Sequence, residues 1–190
     1  EPGGFPKRYD VEVSESDGLT RLKGETEPFS GQVVMRNKEW KMGYLATYLE
    51  GKQHGPEIRF YPDGVTMKTW FDWVDGEKVR HRDFYETGQI QRDAMMKDGI
   101  AYGRHRRWGE NGLLRFDGNF TDNIQWHGHI RDRDADGNVL WDAIFENGRY
   151  ISGVYPKSEE ENLIKGGMLD PDTLQPTAKP KKANQEPRNK

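Results

Sequence analysis

The chain of 190 residues contains no cysteine. This absence excludes disulfide bonds, thiolate nucleophiles and cysteine-ligated metal sites. The sequence also has no run of about eighteen apolar residues, the length expected of a membrane-spanning helix. Only 33% of the residues are hydrophobic, which is little for a thick globular core. Charged residues make up 32%, but the formal net charge is only −3, so bulk charge gives no reason to expect nucleic acid as a partner. The composition therefore favours a thin architecture.

Motifs of common enzyme classes are missing as well. The sequence contains neither a G-x-S-x-G nor an H-E-x-x-H motif, and neither a phosphate-binding P-loop nor a dinucleotide fingerprint. Its 32 acidic residues are scattered, so pairs of carboxylates that could support hydrolysis would arise by chance. We therefore expect no enzymatic activity and no cofactor.

The chain does contain a recurring pair of tight-turn signals. One series is Glu50-Gly51, Asp75-Gly76, Asp98-Gly99, Asp122-Asn123 and Asn147-Gly148. A second, interleaved series is Asp63-Gly64, Thr87-Gly88, Asn111-Gly112 and Asp136-Gly137. Within each series the spacing is 23 to 25 residues. Asp-Gly and Asn-Gly favour two-residue hairpin loops because glycine and asparagine tolerate positive φ, and Asn123 in a glycine position supports the register. The pattern predicts a protein of repeated β-hairpins.

Aromatic residues recur at fixed places between these turns. When successive repeats are aligned, Phe60, Tyr85 and Trp108 fall in one column. The returning strands carry aromatic pairs at even spacing, which places each pair on one face of its strand. These pairs are Phe71 with Trp73, Phe116 with Phe120, and Trp141 with Phe145. Each unit buries little alone and depends on its neighbours. We therefore predict an all-β fold, an elongated, twisted antiparallel meander of about five or six hairpins followed by a short C-terminal helix.

The sequence divides into four regions. Residues 1–23 include an alternating segment from Tyr9 to Val13, which predicts a strand that caps the N-terminal end. Residues 24–156 hold the repeats. Residues 157–173 begin with several acids, which favour a helix N-terminus, and we expect this helix to cap the last edge of the sheet. Residues 174–190 are rich in proline, lysine and asparagine and are predicted to form a disordered basic tail.

Three repeat segments, which begin at Glu50, Asp98 and Asn147, carry a resemblance to a known family. Gly51-Lys52-Gln53-His54-Gly55, followed by Phe60 and then Asp63-Gly64, resembles the MORN-repeat variant, whose pattern is Gly-Lys-x-x-Gly, an aromatic residue and Asn/Asp-Gly. The resemblance covers about residues 24–156 and implies a MORN-like hairpin fold. Bacterial chains of this kind are often similar to antitoxin and immunity proteins, which implies a toxic effector as the protein partner. Other MORN proteins are associated with scaffolding and with lipids.

Two groups of residues suggest metal binding. The segment Asp132-Arg133-Asp134-Ala135-Asp136 resembles the start of a calcium loop, but Ala143 stands at its twelfth position and the turn register explains Asp136 as part of a hairpin. His127 and His129 alternate, which places both on one face, and His105 of a neighbouring repeat is a candidate third ligand. A structural explanation is favoured in both cases, so we expect no metal site.

Arginine is concentrated in neighbouring repeats. The alignment places the basic strand with Arg104, Arg106 and Arg107 near Arg80, Arg82 and Arg131, with Arg59 further along. These arginines either pair across strands with Asp83, Asp132 and Glu57, or anchor an acidic surface of a partner protein. Trp126 lies beside an inserted residue and outside the aromatic columns, which makes it a further candidate. The predicted partner-binding residues are Arg80, Arg82, Arg104, Arg106, Trp126, His127 and His129.

These observations predict a non-catalytic repeat protein that binds another protein. The family resemblance makes it an immunity or antitoxin-like protein that neutralises a cognate effector by stoichiometric binding. A peripheral membrane or lipid-binding scaffold and an envelope glycan-binding protein stay open as alternatives. The first residues, Glu1-Pro2-Gly3-Gly4, include no initiator methionine, which favours the periplasm or envelope over the cytoplasm.

Overall fold

The computed structural model describes residues 6–178. The strands in this part of the chain are β1 Lys7–Tyr9, β2 Val13–Ser16, β3 Leu19–Leu22, β4 Gly31–Arg36, β5 Met42–Leu49, β6 Lys52–Phe60, β7 Met67–Val74, β8 Glu77–Phe84, β9 Ile90–Lys97, β10 Ile100–Trp108, β11 Leu114–Phe120, β12 Trp126–Arg133, β13 Val139–Glu146 and β14 Arg149–Val154. The α-helix α1 spans Glu160–Lys165, and two short 3-10 helices span Asp10–Glu12 and Lys157–Glu159. Within these residues no helix is long and apolar enough to cross a membrane.

The predicted all-β meander is confirmed. Strands β4 to β14 lie in chain order in one sheet, and each is antiparallel to the next. Strand β1 adds a twelfth strand, parallel to β4, while β2 and β3 form a separate hairpin. At about 4.8 Å between neighbouring strands, the sheet is roughly 50 Å across. A single layer of this width buries little, as the low hydrophobic content requires.

Most turns follow the chemistry predicted for them. At four positions of the first series both turn residues have positive φ, as a two-residue type I′ loop requires. These are Glu50-Gly51, Asp75-Gly76, Asp98-Gly99 and Asn147-Gly148. The second series forms longer loops instead, in which the glycine alone has positive φ. In one of these, the Gly88 N–H donates to the Tyr85 carbonyl and the Tyr85 N–H donates to the Gln89 carbonyl.

The turn between β11 and β12 differs from the prediction. Here the residue with positive φ is Ile124, with φ of 58°, and not Asn123. The Ile124 N–H donates to the Thr121 carbonyl, and the Thr121 N–H donates to the Gln125 carbonyl, as in the longer loops of the second series. The assignment of Asn123 to a glycine position is therefore wrong. A β-branched residue in the left-handed region is strained.

Register gives the sheet two distinct faces. Residues directly opposite each other on neighbouring antiparallel strands lie on the same face, so a chain of such partners traces a row across the sheet. One row consists of Val33, Ala46, Glu57, Phe71, His81, Ala94, His105 and Gly118. Ile130 and Ala143 continue it. We call the side with this row the groove face and the other side the ladder face.

The main core lies on the groove face over the last four strands. Its buried residues are Phe116, Ile130, Ala143, Phe145, Tyr150, Leu163 and Leu169. Leu163 belongs to α1, so this helix packs on the face of the sheet. The sequence had instead predicted that the helix would cap the edge. The edge strand β14 is instead bordered by the following segment, to which Arg149 donates at the carbonyls of Gly167 and Thr177. Burial of the Leu163 side chain stabilises the packing of α1 on the sheet by about 2 kcal/mol.

Two further predictions need correction. The recurring aromatic column consists of Phe60, Phe84 and Trp108, because Tyr85 lies one position further along and donates its hydroxyl to the Trp108 carbonyl at 2.9 Å. The ordered chain extends past Leu174, since Leu174 N–H donates to Asp170 and Thr177 N–H donates to Met168. Residues 179–190 of the predicted tail lie outside the described residues.

Candidate functional site

The groove face carries an open depression of about 470 Å³ over β8 to β12. Ala94 and Ala101 form part of its floor. These small side chains leave space between larger neighbours on the same face, Phe116 and Phe120. The groove therefore lies over the two alanines, whereas the space above Gly118 in the central row is filled by Phe116 and Ile130.

Two histidines stand in this groove with their rings against aromatic neighbours. The His81 ring lies 4.6 Å from that of Phe71, and the His105 ring lies 4.8 Å from that of Phe120. Burial lowers the pKa of His105, whose Nε2–H donates to the Met95 carbonyl at 2.8 Å. The imidazole of His105 is therefore neutral at pH 7 and contributes hydrogen bonding and apolar surface, but no charge.

His81 is engaged with Asp83. Its Nε2 lies 2.9 Å from Asp83 Oδ1, and the Thr69 hydroxyl donates to the same oxygen at 3.1 Å. Burial alone would raise the pKa of Asp83, but His81, Arg92 and Thr69 outweigh this effect and hold that pKa below its usual value. Asp83 is thus an ionised carboxylate with three partners.

Two arginines line the groove from directly opposite positions. Arg92 on β9 and Arg107 on β10 are cross-strand partners, and Asp83 and Phe116 flank them in the same row. The Arg92 Nε lies 3.4 Å from Asp83, while Arg107 approaches Asp132 only to 4.0 Å. The Arg107 guanidinium also lies 4.9 Å above the Phe116 ring. Like charges directly opposite each other destabilise a sheet, so this arrangement is unusual on physical grounds.

The ladder face shows the opposite charge arrangement. One row across six successive strands consists of Arg82, Asp93, Arg106, Asp117, Arg131 and Asp142. Every neighbour in this row has the opposite sign. Cross-strand pairs of opposite charge stabilise a sheet by roughly 0.2–1 kcal/mol each. The row, which we call the charge ladder, therefore runs from β8 to β13, with a direct ion pair between Asp93 and Arg106.

Asp93 has the most hydrogen bonds in the ladder. Arg80 donates Nε to Oδ1 at 2.6 Å and Nη2 to Oδ2 at 2.8 Å, and Arg106 Nη2 donates to Oδ2 at 2.6 Å. The hydrogen bonds from Arg80, and then those from Arg106, lower the pKa of this buried carboxyl. Asp117 similarly accepts two bonds from Arg104, at 2.9 and 2.8 Å, which lower its pKa.

The predicted partner-binding residues divide between the two faces. Arg80, Arg82, Arg104 and Arg106 lie on the ladder face, and so do His127 and His129, which are opposite Asn119 and Ile144. Trp126 lies on the groove face, opposite Phe120. The structure therefore brings six of the seven residues to one face.

The interactions predicted for the arginines on the ladder face need correction. Arg82 bonds Asp72, Arg80 and Arg106 bond Asp93, and Arg104 bonds Asp117. The acids proposed from sequence, Asp83, Asp132 and Glu57, lie on the groove face and interact there with Arg92, Arg107 and Arg59. Cross-strand pairing with the predicted acids therefore holds for Arg107, which approaches Asp132, but not for Arg80, Arg82, Arg104 and Arg106.

The expectation that Trp126 lies outside the aromatic columns is wrong. Its ring is 5.1 Å from that of Phe145, 5.5 Å from that of Trp141 and 6.2 Å from that of Phe116. It therefore joins the core to the groove, where it forms one wall.

Neither candidate metal group assembles as proposed. His105 lies on the groove face, whereas His127 and His129 lie on the ladder face, where His129 hydrogen-bonds Asp142. In the calcium-like segment Asp134 accepts backbone N–H groups of Asp136 and Asn138 and closes a hairpin turn. Among the residues 6–178 no group of three histidine or acidic side chains is arranged to hold a metal ion.

The groove residue that the sequence pattern does not single out is Arg92, whereas Arg107 belongs to the basic strand identified there. The mutual position of Arg92 and Arg107 follows only from the register of β9 and β10. Comparison with models of known protein families gives no match for this chain, and comparison with curated proteins finds no significant relative. The geometry of the groove is therefore the basis for a functional proposal.

Proposed function

We propose that this chain is a non-catalytic protein-binding repeat protein, and that it acts as an immunity or antitoxin-like protein on a toxic effector. The observation that supports binding is the groove itself, an open depression with aromatic walls and two half-exposed arginines. Arginine and tryptophan are the residues most enriched at binding hot spots. A preformed sheet also loses little conformational entropy when a partner binds.

The lining of the groove favours binding over catalysis. Of the residues that the structure describes, those lining it include no serine, threonine, tyrosine or acidic side chain. Each histidine already has a hydrogen-bond partner: His81 bonds Asp83, and His105 donates to the Met95 carbonyl. A hydrolytic site needs a nucleophile or an activated water beside its base, and this lining supplies no side chain for either task.

The pairing of arginines with aspartates on the ladder face weakens the lipid-binding alternative. Recognition of anionic lipid needs several basic side chains that are free to face the membrane. Arg80, Arg82, Arg104 and Arg106 each hydrogen-bond an aspartate instead. The glycan-binding alternative loses support too, because α1 and the segment after it cover the aromatic residues of the last strands.

The proposal is tested by expressing the chain together with the product of the neighbouring gene. We expect that product to be toxic alone, to be tolerated when the chain is present, and to form a complex of fixed stoichiometry by size-exclusion chromatography with light scattering. A neighbouring product without toxicity, or toxicity without protection and without a complex, would refute the proposal. Salt-sensitive sedimentation with phosphatidylserine vesicles would instead favour the membrane scaffold.

The surface is tested by a matched pair of charge reversals. Arg107→Glu changes the groove, whereas Arg104→Glu makes the same change on the ladder face, at a side chain of similar exposure. We expect Arg107→Glu to weaken the complex by about tenfold or more, which corresponds to about 1.4 kcal/mol, and Arg104→Glu to leave it nearly unchanged. The reverse order would place the interface on the ladder face.

A further inference from the structure

We infer that Arg92 and Arg107 form a carboxylate-binding site whose occupant is an acidic, extended segment of the protein partner. This inference rests on the proposed protein-binding function and names the chemistry of its ligand. Its starting point is the contrast between the two faces. The charge ladder alternates in sign from β8 to β13, whereas the groove face sets these two guanidinium groups directly opposite each other.

The neighbouring acids neutralise this pair only in part. Asp83 lies 3.4 Å from Arg92, but it also binds His81 and Thr69. Asp132 lies 4.0 Å from Arg107, beyond hydrogen-bond range. The side chains of Arg92 and Arg107 are 48% and 58% exposed, so several of their N–H donors face solvent. An incoming carboxylate would accept bonds from both guanidinium groups and relieve their repulsion.

The position of the pair lets one ligand reach both charge and apolar surface. Arg92 and Arg107 line the groove and also a second depression of about 470 Å³ beside it, on the side of Tyr85 and Trp108. Along β9, Ala94 lies two residues from Arg92, which is roughly 7 Å in a strand. An extended ligand with an acidic residue and an apolar residue two positions apart therefore matches the arginines and the groove floor together.

The charge of the chain's own C-terminal residues excludes them as the ligand of the Arg92–Arg107 site. Residues 179–190 contain five lysines and arginines and a single glutamate, so they have the wrong sign for this site. A lipid phosphate shares the negative charge of a carboxylate, but it brings no apolar side chain at a fixed spacing. The two sources are separated by the test.

The probe is the peptide acetyl-Gly-Glu-Ala-Phe-Gly-amide, with its Gln analogue as the neutral control. Both are titrated into the ¹⁵N-labelled full chain and followed by NMR. We expect the Glu peptide to shift the amides of Ala94 and Ala101 and the Trp126 indole, and to bind about tenfold more tightly than the Gln peptide. Equal binding of both peptides, shifts confined to the ladder face, or no shifts at 10 mM peptide would overturn the inference.

Variants separate the site from general charge effects. Arg92→Gln with Arg107→Gln should abolish the preference for the Glu peptide, while Arg104→Gln with Arg131→Gln, on the ladder face, should retain it. Arg107→Gln alone should leave the melting temperature unchanged or raise it, because it removes a like-charge contact. A preference that survives the groove double variant refutes the site, and so does a marked loss of folding in Arg107→Gln.

Two further outcomes have definite meanings. Binding to phosphatidylserine vesicles that is lost in the groove double variant, without binding of the Glu peptide, would overturn the inference in favour of a membrane ligand. If the peptide fails while the chain still forms a complex with a toxic effector, the carboxylate site is wrong and the proposed function stands. If the peptide binds but no effector is neutralised, the site stands and the immunity role fails.

Discussion

Asp93 provides the sharpest test of the charge ladder. It accepts three hydrogen bonds from two arginines on the strands either side, and it is buried. In Asp93→Asn the side chain keeps its shape but has one acceptor oxygen, and its NH₂ group faces arginine donors. At least one of the three bonds is lost, and those that remain are no longer charge-assisted.

The magnitude follows from these bonds. A hydrogen bond to a charged group contributes about 1.5–3 kcal/mol and a neutral one about half as much. The side chains of Arg80 and Arg106 are 41% and 33% exposed, so both regain hydration when Asp93 is neutralised and the full cost of a buried unpaired charge does not apply. We expect Asp93→Asn to lower the free energy of unfolding by about 2 kcal/mol at pH 7.

The effect must depend on pH in a definite direction. The folded-state pKa of Asp93 is lowered, so its contribution is fully present above the unfolded-state pKa of about 3.9 and is lost as pH falls through the folded-state value. The difference between wild type and Asp93→Asn should therefore shrink toward zero at acidic pH. Urea unfolding followed by circular dichroism measures this difference without adding salt, which would screen the ladder.

A control with the same charge change isolates the ladder. Asp136→Asn removes a carboxylate from an exposed turn, and we expect it to alter stability by less than about 0.5 kcal/mol. The reasoning fails if Asp93→Asn is as mild as this control, or if its destabilisation is the same at pH 7 and in acid.

Three other changes test local features of the fold. Ile124→Gly should raise the free energy of unfolding by about 1 kcal/mol in urea, because glycine removes the strain at φ of 58°, and destabilisation would show that this side chain is needed. Gly153→Ala should lower the free energy of unfolding by more than about 2 kcal/mol, because the new Cβ would lie 2.3 Å from the Asp142 carbonyl oxygen. Gly99→Ala, which has open space and φ of 76°, should lower it by about 1 kcal/mol. Equal effects of the two variants in thermal unfolding would contradict the packing argument. Leu163→Ala should cost about 2–4 kcal/mol and increase binding of a hydrophobic dye as the helix loosens, and unchanged stability would mean that α1 does not hold the core.

The fold could be predicted from the sequence because its determinants are local. An Asp-Gly pair specifies a tight turn through the φ angles of two residues, whatever lies elsewhere in the chain. The same logic failed at Asn123, because the left-handed residue depends on the length of the whole loop. There the chain uses a longer loop with Ile124 in the glycine position, a choice that no single dipeptide reveals.

The partners of the arginines could not be predicted, because they depend on register between strands. Alternation along one strand correctly places Arg104 with Arg106 on one face. It does not say which acid lies opposite, because β10 has five residues from Ala101 to His105 where β9 has three from Ala94 to Met96. The register therefore decides that Asp93 on β9 lies opposite Arg106, while Asp83 on β8 lies opposite Arg92.

The formal net charge of the chain is only −3, but charged residues are arranged differently on the two faces of the sheet. In the charge ladder each guanidinium has an aspartate opposite, and the charges serve to hold a thin sheet together where apolar burial is scarce. On the groove face Arg92 and Arg107 lie directly opposite each other, although an acid at position 107 would have continued the alternation that begins with Asp83 and Arg92. A stabilising role explains the first arrangement but not the second. The departure from alternation, beside an apolar groove, is what directs the search for a partner to this face.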